Sequence, residues 1–174
     1  VNLPAAEKAH RDFLAAAEDA GAVQYIVSAL RFLGRVLIYS ESQEQEAAIV
    51  LDRALELSEL SGERWNRSEL FGLRAQAALQ LGDIDAADRF INRALGSLRD
   101  SDFTAVCEAY HHLGAIREAQ GRKAEAEAAQ RHSLEAVAGT DYNFMRTEPT
   151  LALARLLVDR GAFDEASPLV DERE

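Results

Sequence analysis

In the stretch "DIDAADRFINRAL", residues 83–95, Ala87, Phe90, Ile91 and Ala94 fall three or four positions apart. That spacing gathers them on one stripe of an α-helix and leaves the charged residues outside. The same pattern predicts helices near 4–20, 22–40, 43–59, 63–81, 84–98, 102–120, 122–138, 147–160 and 163–174. Pro149 is tolerable only in a first turn, so the eighth helix is expected to start near Thr147. Pro168 is expected close to the start of the last helix. The first helix, "PAAEKAHRDFLAAAEDAG", reads as the second half of a repeating unit or as a terminal cap.

The pattern also repeats at long range. Glycines at 82, 121 and 161, spaced by 39 and 40 residues, each follow one helical run and precede another. Five residues after them stand Ala87, Ala126 and Ala166, and twelve after the first two stand Ala94 and Ser133, with Arg173 breaking the third instance. Seven before them stand Ala75, Gly114 and Ala154, and 17 or 18 before them Trp65, Phe103 and Phe144. A fourth copy upstream keeps the order Tyr25, Leu33-Gly34, Ala47, Leu51, Ala54, shifted by one residue near Ser42 and lacking the glycine. Glycine after a helix suits the left-handed cap because it has no Cβ to clash. Small residues at matched places let two helix axes approach closely. A helical pair of this kind cannot cover its own apolar face, so stacked neighbours complete the core.

The residues "YHHLG…QGRKAEAEAAQRHS" and "LALARLLVDRGAFDEA" resemble tetratricopeptide repeats, and the likeness covers residues 25–174. The period exceeds the usual 34 residues of that family. It is similar to the longer-helix variety found in bacterial signal-responsive regulators and kinesin light chains. HEAT-type arrays share the period, but the matched glycines and alanines favour the tetratricopeptide pattern. Three departures stand out: Arg74 where the motif wants a buried Leu, Gln130 where it wants a large apolar residue, and no terminal proline in any unit. The resemblance implies an all-α, right-handed αα-superhelix of about four helical pairs plus an N-terminal helix. As one domain over 1–174, it would divide into 1–21, 22–60, 61–100, 101–140 and 141–174.

Composition narrows the function. A 174-residue chain that is 48% apolar can bury a core. A net charge of −11 argues against direct nucleic-acid binding, which needs Lys and Arg in excess. No apolar segment is long enough to span a membrane and no signal peptide is evident, so neither a membrane nor export is expected. The one cysteine, Cys107, has no internal partner and fits a reducing, cytoplasmic setting. Positive charge comes almost wholly from Arg, which with the many alanines suggests a GC-rich bacterial genome. The missing initiator Met and uncapped end "FDEASPLVDERE" suggest a piece of a larger protein.

Motifs that carry chemistry fall away one by one. Three of the four histidines, His111, His112 and His132, cluster in sequence. Adjacent helical histidines point about 100° apart, and no spacing supplies the three or four convergent ligands of a metal site. "GAIREAQGRK" has six residues between its glycines and no hydroxyl after Lys123, so it is not a phosphate loop. "HRDFLAAAE" mimics a kinase catalytic loop but puts Ala17 where a metal-binding Asn belongs. Cys107 has no evident base partner. No catalytic residue, metal or cofactor is therefore assigned, and an enzyme is not expected.

In solenoids of the family it resembles, the first helix of each pair lines the concave binding face. Removing the expected core positions leaves Arg31, Arg35, Tyr39, Glu69, Gln76, Gln80, His111, Glu118 and Arg155 as candidate ligand-binding residues. Arg31 and Arg35 lie one turn apart in an acidic chain, and like charges at that spacing disfavour a helix slightly. They call for a carboxylate, either Glu69 or an acidic group of a bound peptide. The expected function is a non-enzymatic scaffold for a protein or peptide, within a bacterial regulatory or signalling protein. The alternatives are a small-molecule sensor or a module that self-associates through the ends of the array.

Overall fold

The computed structural model describes residues 2–62, 66–99 and 102–171, with side chains as far as Leu169. Every regular element among them is helical: α1 (Leu3–Asp19), α2 (Val23–Ile38), α3 (Glu44–Leu60), α4 (Arg67–Gln80), α5 (Ile84–Leu95), α6 (Phe103–Ala119), α7 (Lys123–Ala136), α8 (Thr147–Asp159) and α9 (Phe163–Asp171). A 3₁₀ turn at Asn143–Arg146, which the hydrophobic pattern does not show, leads into α8. Two sequence expectations need correction. Helix α5 stops at Leu95 with Gly96 as its cap, short of residue 98. Pro168 lies inside α9, not near its start. There it costs only the bond to the carbonyl of Asp164, an exposed residue in the first turn. Pro149 sits in the first turn of α8, which starts at Thr147 as expected. Trp65 and Arg173 lie outside the described residues.

The chain forms two compact units, Val1–Ser97 and Leu98–Glu174. In the first, α1 to α5 pack consecutively and α2 also touches α4; in the second, α6 to α9 pack consecutively and α6 touches α8. The small residues that mark the repeat are buried throughout: Gly34, Ala75, Gly114 and Ala154 on the first helices, Ala47, Ala54, Ala87, Ala94, Ala126, Ser133 and Ala166 on the second. Their purpose is close approach. A Cβ on Gly34 would lie 2.6 Å from Leu51 Cδ2, and one on Gly114 only 2.2 Å from Gln130 Nε2. Large residues such as Leu30, Leu33, Leu70, Ile91, Ile116 and Leu157 fill the space between, each burial worth about 1.5–3 kcal/mol.

The three repeat glycines share one cap. Gly82, Gly121 and Gly161 have φ of +79°, +75° and +80°. In each case the glycine N–H and the next N–H reach back to carbonyls of the last turn, as in Asp83 N to Ala78 O at 2.9 Å and Arg122 N to Arg117 O at 2.8 Å. In the first pair the left-handed residue is Ser42, at φ +59°, which accounts for the one-residue shift there.

Two of the three departures from the repeat motif, Arg74 and Gln130, have structural partners. Arg74 donates to Asp52 on α3 at 2.7 and 3.2 Å and lies over the Phe90 ring on α5 at 4.7 Å. Gln130 is fully buried in the notch at Gly114.

Successive second helices are laced by ion pairs: Arg11–Glu46 and Arg53–Glu18 between α1 and α3, Arg93–Glu59 between α3 and α5, and Arg131–Glu165 between α7 and α9, with Arg160 of the α8–α9 turn also held by Glu127 of α7. Helix α1 thus stands to α3 as α3 stands to α5, in the row of second helices. Such exposed pairs each contribute about 0–1 kcal/mol, so they fix register more than they stabilise.

Candidate functional site

The candidate residues fall into two clusters, one in each unit. In the first, Arg31 and Arg35 project from α2 towards α4, and both guanidiniums donate to the same carboxylate, Glu69. Arg35 Nη2 meets Glu69 Oε1 at 2.5 Å, and Arg31 Nη1 meets Oε2. Arg31 is the more enclosed, with its side chain 14% exposed against 33% for Arg35, and it lies 4.1 Å over the Phe32 ring. The carboxylate that the two arginines call for is thus supplied from within. At the helix ends Gln80 Nε2 donates to the Ile38 carbonyl at 3.1 Å, which caps α2 from α4. Tyr39, beside Ile38, remains 45% exposed, and Gln80 is exposed. Arg31 Nε and Gln76 Oε1 are buried with no hydrogen-bond partner.

The second cluster joins α6 to α8. Arg155 grips Glu118 in a two-point contact at 2.5 and 2.6 Å, and this pairing pushes the guanidinium pKa upward. His111 is held by Gln130, whose Nε2 donates to the His111 carbonyl at 3.2 Å. The amide oxygen then faces His111 Nδ1 at 3.0 Å, so that nitrogen carries the hydrogen. The other ring nitrogen points at Glu148 Oε2, 3.5 Å away.

The two clusters obey one rule of register. Arg31 and His111 each stand three residues before the small residue of their helix, Gly34 and Gly114. Their partners Glu69 and Glu148 each stand six residues before the small residue of the next first helix, Ala75 and Ala154. The sequence carried this signal as glutamates at 69, 108 and 148, one per repeat. It went unread because the partner lies a whole repeat away, outside any helical window.

Two of the other histidines pack against aromatic rings. The His132 ring packs against Tyr110, centroids 4.0 Å apart, and His10 stacks on Phe32 at 5.4 Å. Among the described residues no three His, Cys, Asp or Glu side chains are grouped to hold a metal ion. Burial pushes the Cys107 thiol pKa up, despite a contact with Ser133 Oγ at 3.3 Å that works the other way. Ser133 donates its own hydrogen to the Cys107 carbonyl at 2.7 Å. A depression of about 200 Å³ at Gly161–Glu165 is smaller than pockets that enclose metabolites, at about 300–1,000 Å³. No described helix is long and apolar enough to cross a membrane.

The pairs, their caps and their stacking define a helical-repeat protein. The family model described as "Tetratricopeptide repeat" matches residues 68–97 and 108–136, which span α4–α5 and most of α6–α7. Those two segments are therefore read as tetratricopeptide-type repeat units. Among solved structures it is similar to BtubC (BKLC) from P. vanneervenii, with a TM-score of 0.74 at 18% identity over 98% of this chain and 71% of that one. It is also similar to nearly identical TPR-like repeats of a putative kinesin light chain from Podosopora anserina, with a TM-score of 0.58 at 17% identity over 97% and 92%. At such identities the likeness is one of fold. No curated protein matches.

Proposed function

We propose that this chain is a non-catalytic scaffold that grips a protein or peptide partner along its first helices. Repeats of this type are generally protein-interaction scaffolds. The observation that carries the reading is the convergence of Arg31 and Arg35 on Glu69. It fixes two long cations that would otherwise lose rotamer entropy on binding, and it does so beside a solvent-facing phenol and amide, Tyr39 and Gln80. The unpaired Arg31 Nε and Gln76 Oε1 add a buried donor and acceptor on the same two helices. A ligand carboxylate or backbone segment meets these groups at little ordering cost. Glu69, His111, Glu118 and Arg155 hold the helices in register, while Arg35, Tyr39, Gln76 and Gln80 face the partner. The Arg-rich, Ala-rich composition supports a bacterial regulatory or signalling parent protein, and the lone cysteine supports a cytoplasmic one.

The test is a fluorescence titration with a library of acidic and C-terminal peptides, repeated with Arg35→Ala and Tyr39→Ala. The reading expects saturable, salt-sensitive binding that each substitution weakens by about 1–2 kcal/mol. Binding that survives both substitutions unchanged removes the site from α2.

A further inference from the structure

Glu69 divides its two oxygens between two cations. Oε2 accepts from Arg31 Nη1, and Oε1 accepts from Arg35 Nη2 at 2.5 Å. The ion pair in the second unit is of another kind. There Glu118 gives both oxygens to one guanidinium, that of Arg155, at 2.5 and 2.6 Å. The divided arrangement is imperfect on both sides. Glu69 meets Arg35 through a single oxygen, and two-point contacts between guanidinium and carboxylate are the stronger kind. On the other side Arg31 Nε is buried without an acceptor, although a carboxylate stands at the same guanidinium. A buried donor left unmet costs about 1–3 kcal/mol. The exposures are unequal as well. The Arg31 and Glu69 side chains are 14% and 15% exposed, and that of Arg35 is 33% exposed.

We propose that Glu69 is an internal competitor for Arg35, a latch that a carboxylate of the partner opens by exchange. In the latched state Glu69 bridges the two arginines. The incoming carboxylate approaches Arg35 from its solvent side and offers two oxygens where Glu69 offers one. Glu69 Oε1, once released, turns to the Arg31 fork, where the unmet Nε supplies a donor. Arg31 keeps Glu69 throughout, so the more enclosed cation is never left unpaired. The latch is also a filter. A neutral backbone or amide group gains less from Arg35 than the Glu69 carboxylate does, so an anion is needed to open it. This inference rests on the reading above, in which Arg35 faces the partner. It adds the chemistry of that contact and the group that holds the site closed.

Two measurements on the whole chain test it. One is thermal melting in about 0.5 M sodium acetate against sodium chloride at equal ionic strength, and the other is calorimetric titration with a tetraglutamate peptide. Glu69→Gln removes the competitor. It is expected to gain at least about 1 °C from acetate, where the parent chain gains nothing measurable, and to bind the peptide at least about fivefold more tightly. Adding Arg35→Ala removes both gains. Glu69→Asp keeps a carboxylate for Arg31 but is one methylene shorter, and it shifts both measurements in the same direction. It carries the test if circular dichroism shows that Glu69→Gln loses its helices. If the variants respond as the parent does, or bind the peptide more weakly, Glu69 only aligns Arg35 and the inference is overturned. Peptide binding by the parent that needs Arg35 would still uphold the scaffold reading. Acetate gains that need Arg35, with no acidic or C-terminal peptide bound by any form, would sink the scaffold reading instead and leave the latch in place.

Discussion

Gln130 occupies the notch that Gly114 leaves open: a Cβ on residue 114 would stand 2.2 Å from the Gln130 amide nitrogen and 2.8 Å from its Cδ. The amide is bonded at both ends to His111, so it has little freedom to withdraw. Gly114→Ala is therefore expected to destabilise the chain by about 1–3 kcal/mol through overpacking. An alanine in an ordinary helix interior would instead gain about 1 kcal/mol over glycine. The sign of the change in urea midpoint decides: a gain would mean that Gln130 swings clear and the notch is unimportant. Gly114→Ala combined with Gln130→Ala should relieve the clash while sacrificing the bonds to His111.

The same notch shows where sequence reasoning stops. Small residues at Gly34, Ala75, Gly114 and Ala154, and the capping glycines, are local and periodic, so the pattern alone located the pairs. Gln130 read as a departure because its partners, Gly114 and His111, lie on the preceding helix. Arg74 read the same way because Asp52 and Phe90 belong to neighbouring helices on either side. For Arg31 and Arg35 the sequence offered Glu69 or a ligand as partner, and only the side-chain geometry places both guanidiniums on Glu69. Periodicity reports what each helix does for its own pair. It is silent on which long polar side chains cross between pairs.

Removing the carboxylate of Glu69 leaves two guanidiniums facing each other, one of them 14% exposed. Glu69→Gln is expected to cost about 1–3 kcal/mol, as for a charged hydrogen-bonding group that loses its partner. Arg35→Ala, at the more exposed of the two cations, should cost less. Urea unfolding of both variants checks the order, and equal losses would show that Arg31 is not the stronger brace.

Ser42 holds a left-handed backbone, φ +59°, at the place where the later pairs use glycine. A side chain there costs about 1–2 kcal/mol, partly offset by the greater freedom that glycine has when unfolded. Ser42→Gly is expected to stabilise the chain by up to about 1 kcal/mol. Gly82→Ala, at φ +79° with open space around it, should destabilise by about 1 kcal/mol through backbone strain alone. Opposite shifts in melting temperature from the two substitutions would confirm that the caps, not side-chain contacts, set these turns.

Glu127 on α7 contributes to the acid sensitivity of the second unit. Burial works to raise its pKa, but hydrogen bonds from Arg131 and from Arg160 on the α8–α9 turn outweigh that and hold it below the ordinary carboxylate value of 4.5. A carboxylate lowered on folding contributes stability above its unfolded pKa, and that contribution is lost as pH falls through the folded value. Glu127→Gln should therefore lower stability at neutral pH, by no more than about 1 kcal/mol because both arginines are substantially solvated. The gap between the parent chain and Glu127→Gln is expected to stay constant from about pH 8 to pH 5 and to close below about pH 4.5. Thermal melts of both proteins across that range measure it directly. A gap that widens in acid would mean that Glu127 is stabilised more in the unfolded chain than between α7 and α9, and the lacing of second helices would then have no share in holding the repeats together.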